Sequence, residues 1–99
     1  MYNLDTIYSF KLGSGEELIA KVVAVEDSRV QLSRPLLVAA TPQGMQLVPS
    51  MFTVHPDRKV WLNNTAISMY SETHDDIANS YIESTTGIKP ITKGSILMG

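Results

Sequence analysis

Leu18-Ile19-Ala20-Lys21-Val22-Val23-Ala24-Val25 is the stretch on which the fold turns. Leu18, Ala20, Val22 and Ala24 alternate with Ile19, Lys21, Val23 and Val25, so both faces of an extended chain are largely apolar. Strands buried on two sides read this way, and the β-branched content favours a pleated backbone. This segment is therefore expected at the centre of a sheet. On its N-terminal side, Ile7 to Leu12 alternates with Tyr8, Phe10 and Leu12 on one face, and Gly13-Ser14-Gly15 supplies the turn between the two strands. On its C-terminal side, Glu26-Asp27-Ser28 is a polar turn, and Val30, Leu32, Leu36 and Val38 outline a third strand. Pro35 within that strand predicts a bend or an edge, because proline has no N–H for the ladder.

Thr41-Pro42-Gln43-Gly44 is a further turn, and Met45 to Val54 reads as a fourth strand containing Pro49. His55-Pro56-Asp57-Arg58 is a polar excursion, followed by a strand at Val60-Trp61-Leu62, a tight turn at Asn63-Asn64-Thr65 and a short strand from Ala66 to Tyr70. Regularly spaced turns between short strands predict a small closed barrel, a form that leaves no free sheet edge. The chain then changes character. Thr73 and Asp76 fit a capping pair, and Ile77, Ala78, Tyr81 and Ile82 form an apolar stripe on one helical face, so an amphipathic helix is expected over roughly 72–84. Gly87 and Pro90 stop it, and Ile88 to Gly99 shows no period. The expected organisation is a barrel over 1–70, a helix packed on it within 71–86, and a tail over 87–99.

The 99 residues suffice for one domain, and 43% hydrophobic with 18% charged residues exclude a disordered or fibrous chain. The net charge of −2 removes the simplest argument for nucleic acid, a strongly basic domain releasing counterions. The acidity is local, however. Residues 1–70 carry six acids and six bases, residues 71–83 add Glu72, Asp75, Asp76 and Glu83 without a base, and residues 84–99 carry only Lys89 and Lys93. With no cysteine there is no disulfide frame, thiolate metal site or cysteine nucleophile. The N-terminus lacks a basic region followed by an apolar one, and no apolar run reaches the ~18 residues of a membrane span, so a soluble cytoplasmic protein with no membrane partner is expected.

The residues do not point to an enzyme, and no cofactor or metal is expected. Consecutive His74-Asp75-Asp76 point in different directions on a helix, and His55 with Asp57 is accounted for by turn chemistry. Gly13-Ser14-Gly15 lacks the lysine and the following helix of a phosphate loop. Glu16 and Glu17 face opposite sides of a strand and cannot act as a carboxylate pair.

Two stretches carry a family likeness. Phe10-Lys11-Leu12, Gly15 to Val22, Val25-Glu26 and Leu32 resemble the first Sm motif, and Leu62-Asn63-Asn64-Thr65-Ala66-Ile67-Ser68 resembles the second. The resemblance covers about residues 7–70 and is closest to the short Sm-like (LSm) proteins of tailed phages. It implies an all-β protein with one helix: a five-stranded, strongly bent, SH3-like Sm barrel that joins a homo-oligomeric ring by edge pairing between subunits. It also implies single-stranded RNA as a partner, held at the ring pore by two loops. Here the first loop, Glu26 to Val30, lacks the family's asparagine, and the second, at Asn63-Asn64, lacks its cation. Arg29, Asn63 and Asn64 are the matching positions, arginine for phosphate or stacking and amides for base edges. A second register would make the excursion the pore loop and put His55, Arg58 and Lys59 in that role; the interrupted fourth strand is preferred, because Asn63-Asn64 makes the better tight turn. Met51, Phe52, Trp61, Met69 and Tyr70, together with Met45, crowd the last strands with more bulk than a small barrel can hide, which predicts an oligomer interface among them. The alternatives are a ring-shaped scaffold or interaction module that does not bind RNA, and a monomeric peptide-binding module.

Overall fold

The computed structural model describes residues 1–86. The expected tail from Ile88 to Gly99, and the helix-stopping Gly87 and Pro90, lie outside the described residues. The strands are β1 (Thr6–Leu12), β2 (Glu17–Val25), β3 (Arg29–Thr41), β4 (Gly44–Pro49), β5 (Val60–Asn63) and β6 (Ile67–Glu72), followed by the helix α1 (Asp75–Thr86). They form one antiparallel sheet in the order β4-β3-β2-β1-β6, with β5 also paired to β3. The chain is thus mostly β with one helix. β2 lies in the middle of the sheet, as its two apolar faces require.

The core forms where the inward faces of β1, β2 and β3 meet. Tyr8, Phe10, Leu18, Ala20, Val22, Val30 and Leu32 are all buried and form one cluster, closed over by Tyr2, Leu12, Leu37, Val60, Leu62 and Ile67. Ile19, on the opposite face of β2, is buried as well.

The six strands match the six segments read as extended, one more than the five that the Sm resemblance implies. Pro49 ends β4, and residues 50–59 leave the sheet before the chain rejoins it at Val60. The predicted strand from Met45 to Val54 is therefore too long by its C-terminal half. β4 and β5 take successive stretches of one partner: Leu36 pairs with Pro49, and Leu32 pairs with Val60. The intervening part of β3 is where that strand bends. Arg34 adopts a left-handed φ of 50° immediately before Pro35, and the β2–β3 register shifts between Ile19 and Lys21. Such a φ is strained for a bulky side chain and needs compensating contacts. Arg34 supplies several. Its guanidinium donates to the Thr85 carbonyl at 2.7 Å and pairs with Asp57. The sheet does not close on itself by hydrogen bonds: among the described residues β6 pairs with β1, and β4 and β5 pair with β3.

The last strand runs from Ile67 to Glu72 rather than from Ala66 to Tyr70, because Asn64–Ala66 form a 3-10 turn. The helix accordingly starts later than expected. Its cap is not Thr73, whose hydroxyl bonds Ser9 Oγ at 2.8 Å; instead His74 Nδ1 accepts the Asp76 N–H at 3.2 Å. An imidazole here does the work that a short polar side chain usually does at this position. On the helix, Tyr81 is buried and Ile77, Ala78 and Thr85 are half-buried along the same side, whereas Ile82 is exposed and drops out of the expected stripe.

The β3–β4 hairpin turns through Pro42-Gln43, between the paired residues Thr41 and Gly44. Gly44 sits at φ +119°, with open space where a Cβ would stand. Gly44→Ala is therefore expected to cost about 1–2 kcal/mol through backbone strain alone. Chemical denaturation would show it as a lower midpoint with an unchanged m-value.

Candidate functional site

The turn between β2 and β3 and the turn between β5 and β6 are 37 residues apart in sequence and fastened together in space. The Asn64 N–H donates to the Ser28 carbonyl at 2.9 Å, and Asn64 Nδ2 donates to the Asp27 carbonyl at 3.1 Å. The β3–β5 register then sets Arg29 directly opposite Asn63. Arg29, Asn63 and Asn64, chosen from the sequence on separate turns, are thus brought together at one end of the sheet.

Their side chains are unequally available. Arg29 Nε donates to Glu26 Oε1 at 2.7 Å, and the guanidinium lies 3.9 Å from the centroid of the Trp61 ring. At an exposed site each of these contacts is worth about 0.5–1 kcal/mol, so together they hold the group flat without burying it. The two terminal nitrogens of the Arg29 guanidinium make no hydrogen bond among the described residues. Asn64 spends its amide nitrogen on Asp27, whereas Asn63, at the N-cap of the 3-10 turn, makes no capping bond with its side chain. Sequence reading did not foresee the Glu26–Arg29–Trp61 assembly. Its signal lies in the pairing of β3 with β5, which puts Gln31 opposite Trp61 two residues from Arg29.

His55, Arg58 and Lys59 stand elsewhere, in the loop joining β4 to β5. There His55 Nδ1 accepts the Asp57 N–H at 3.1 Å and lies 3.8 Å from Asp57 Oδ2. The bulky apolar residues divide among three places. Met51 and Phe52, the latter 84% exposed, are on that same loop; Trp61 lies under Arg29; Met69 and Tyr70 lie on β6, and Met69 is 66% exposed. Met45 is exposed on β4. Tyr70 also belongs to an aromatic cluster outside the candidate set: its ring stacks on Tyr2 at 4.4 Å between centroids, and Tyr2 meets Tyr8 edge-on at 5.0 Å. Burial pushes the Tyr2 phenol up to about 12, with Tyr70 and Tyr8 opposing a further negative charge.

Among the described residues no three His, Asp or Glu side chains gather to hold a metal ion, and no helix is long and apolar enough to cross a membrane. Compared with known protein families and with curated proteins, the chain matches none of them.

Proposed function

We propose that the chain is an Sm-like protein whose bent sheet is an SH3-like barrel, that it joins a homo-oligomeric ring through its two free edges, and that its paired turns bind single-stranded RNA. The observation that carries this reading is the fastening of the β2–β3 turn to the β5–β6 turn, which gathers Arg29, Asn63 and Asn64 from both Sm-like motifs. In a ring the same cluster would repeat around one axis, so a single arginine per subunit becomes a circle of cations. The Arg29 guanidinium then meets phosphate or stacks on a base, and the Asn63 amide reaches base edges.

A second reading, a ring-shaped scaffold that binds no RNA, draws on one specific fact: Arg29 Nε and Asn64 Nδ2 are already engaged within the subunit. Fluorescence anisotropy with oligo-U and oligo-A, at roughly 50 and 200 mM salt, separates the two. RNA binding predicts an affinity that falls with salt and drops about tenfold in Arg29→Ala, the loss of one charge-assisted contact. Glu26→Ala, which removes the internal partner of the guanidinium, is expected to tighten binding. Absence of binding at the lower salt leaves the scaffold.

A further inference from the structure

A groove of about 460 Å³ opens at the bend in β3, between the 50–59 loop and the last turn of α1. Its apolar wall comes from Leu36, Leu47 and Val60, and Met51 and Phe52 stand at it as bulky side chains that the fold leaves largely in solvent. Side chains of that size held open on a small domain mark a surface meant to be covered. Among the described residues the charged lining is Arg34 and Arg58, with His55 beside them and no Asp or Glu. Nearby Asp57 has its carboxylate turned to Arg34. Arg34 is spent on Asp57 and on the Thr85 carbonyl, which leaves Arg58, whose guanidinium has no partner among the described residues.

We infer that this groove docks an acidic, apolar peptide segment of another protein, with its apolar side chains against Leu36, Leu47 and Phe52 and a carboxylate on Arg58. Charge selects this occupant. The chain's own segment 87–99 carries Lys89 and Lys93 and no acid, so it brings the wrong sign to a groove whose uncompensated charge is Arg58. RNA satisfies Arg58 but leaves the apolar wall uncovered. The groove lies apart from the paired turns, and its use does not depend on ring formation or RNA binding.

The test uses the full-length protein and two pools of fluorescein-labelled nine-residue peptides. Both have leucine, phenylalanine or methionine at four positions; the other positions hold aspartate or glutamate in one pool and lysine in the other. The acidic pool is expected to bind and the lysine pool not. Binding should weaken about tenfold in Arg58→Glu and likewise in Phe52→Ser; both residues are exposed, so neither change threatens the fold. Amide shifts on titrating the isotope-labelled protein should concentrate in residues 50–60 and at Thr85. Failure of the acidic pool to bind overturns the inference. Equal binding of the two pools, displacement by oligo-U, or shifts confined to Ser28–Arg29 and Asn63–Asn64 would each overturn it as well.

Discussion

Tyr81→Phe is expected to destabilise the protein by about 2 kcal/mol, although it removes a single oxygen atom. That oxygen accepts the Lys21 N–H at 3.3 Å and faces two carbonyls, Ser33 at 2.8 Å and Arg34 at 2.9 Å, toward which its one proton is directed. These are the backbone groups at the β2–β3 irregularity, where the left-handed Arg34 takes the ladder out of register. Without the hydroxyl, a half-buried N–H and two half-buried carbonyls lose a partner beneath the ring, and an orphaned polar group of this kind costs about 1–3 kcal/mol. Tyr81→Ala also deletes a buried ring and should cost about 3–5 kcal/mol, enough to unseat α1. In a domain of this size, 2 kcal/mol lowers the melting temperature by roughly 8–16 °C. A Tyr81→Phe protein melting within a degree of wild type would show that the hydroxyl does not secure the bend.

The same contact has a signature in alkali. Burial raises the Tyr81 phenol from its ordinary 10.0 to about 12, against the opposing influence of the Lys21 backbone bond and the Arg34 charge. The neutral phenol is thus favoured by folding. Its contribution is complete below pH 10, where the phenol is protonated in folded and unfolded chains alike, and it is lost as pH rises from 10 through about 12. Tyr2 titrates in the same window, so the informative quantity is the difference between wild type and Tyr81→Phe. The two stability curves should converge as the pH approaches 12.

Most of the sheet was legible in the sequence because its signal is local. Tyr8 and Phe10 alternate into the core, and β2 announces its central place through two apolar faces. What was missed depends on contacts between distant segments. Nothing near Pro49 says that the chain will leave the sheet for residues 50–59 and return to the same partner strand; that is decided by the bend at Arg34-Pro35. Thr73 looks like the better cap by residue type, yet Ser9, 64 residues away, claims its hydroxyl and leaves the cap to His74. The candidate site shows the same division. Its residues could be chosen from turn positions, and the Glu26–Arg29 pair is local to one turn, but the seating of Arg29 on Trp61 and of Asn64 on Asp27 follows from strand register, which no single stretch encodes.

The second large effect concerns assembly, and here stability and oligomeric state should separate. β6 pairs on one side with β1, and β4 on one side with β3, so each has an outer row of backbone groups without a strand partner among the described residues. Monomeric proteins blunt such edges with lysine, proline or a bulge pointing outward. β6 reads Ile67-Ser68-Met69-Tyr70-Ser71-Glu72, with no lysine and no proline, and Met69 faces solvent. Met69→Lys places the standard edge-blocking charge at the centre of that strand. In an isolated subunit the side chain touches little, so the fold should lose no more than about 0.5 kcal/mol, and the far-ultraviolet dichroism should be unchanged. If β6 is an edge between subunits, however, each interface in a closed ring receives the lysine at once, and the penalty repeats around the circle. Sedimentation velocity is then expected to show wild type as one sharp oligomer and Met69→Lys near the 10.9 kDa of a single chain. A wild-type protein that itself sediments at that mass defeats the ring outright, and a Met69→Lys oligomer of unchanged size moves the interface away from β6.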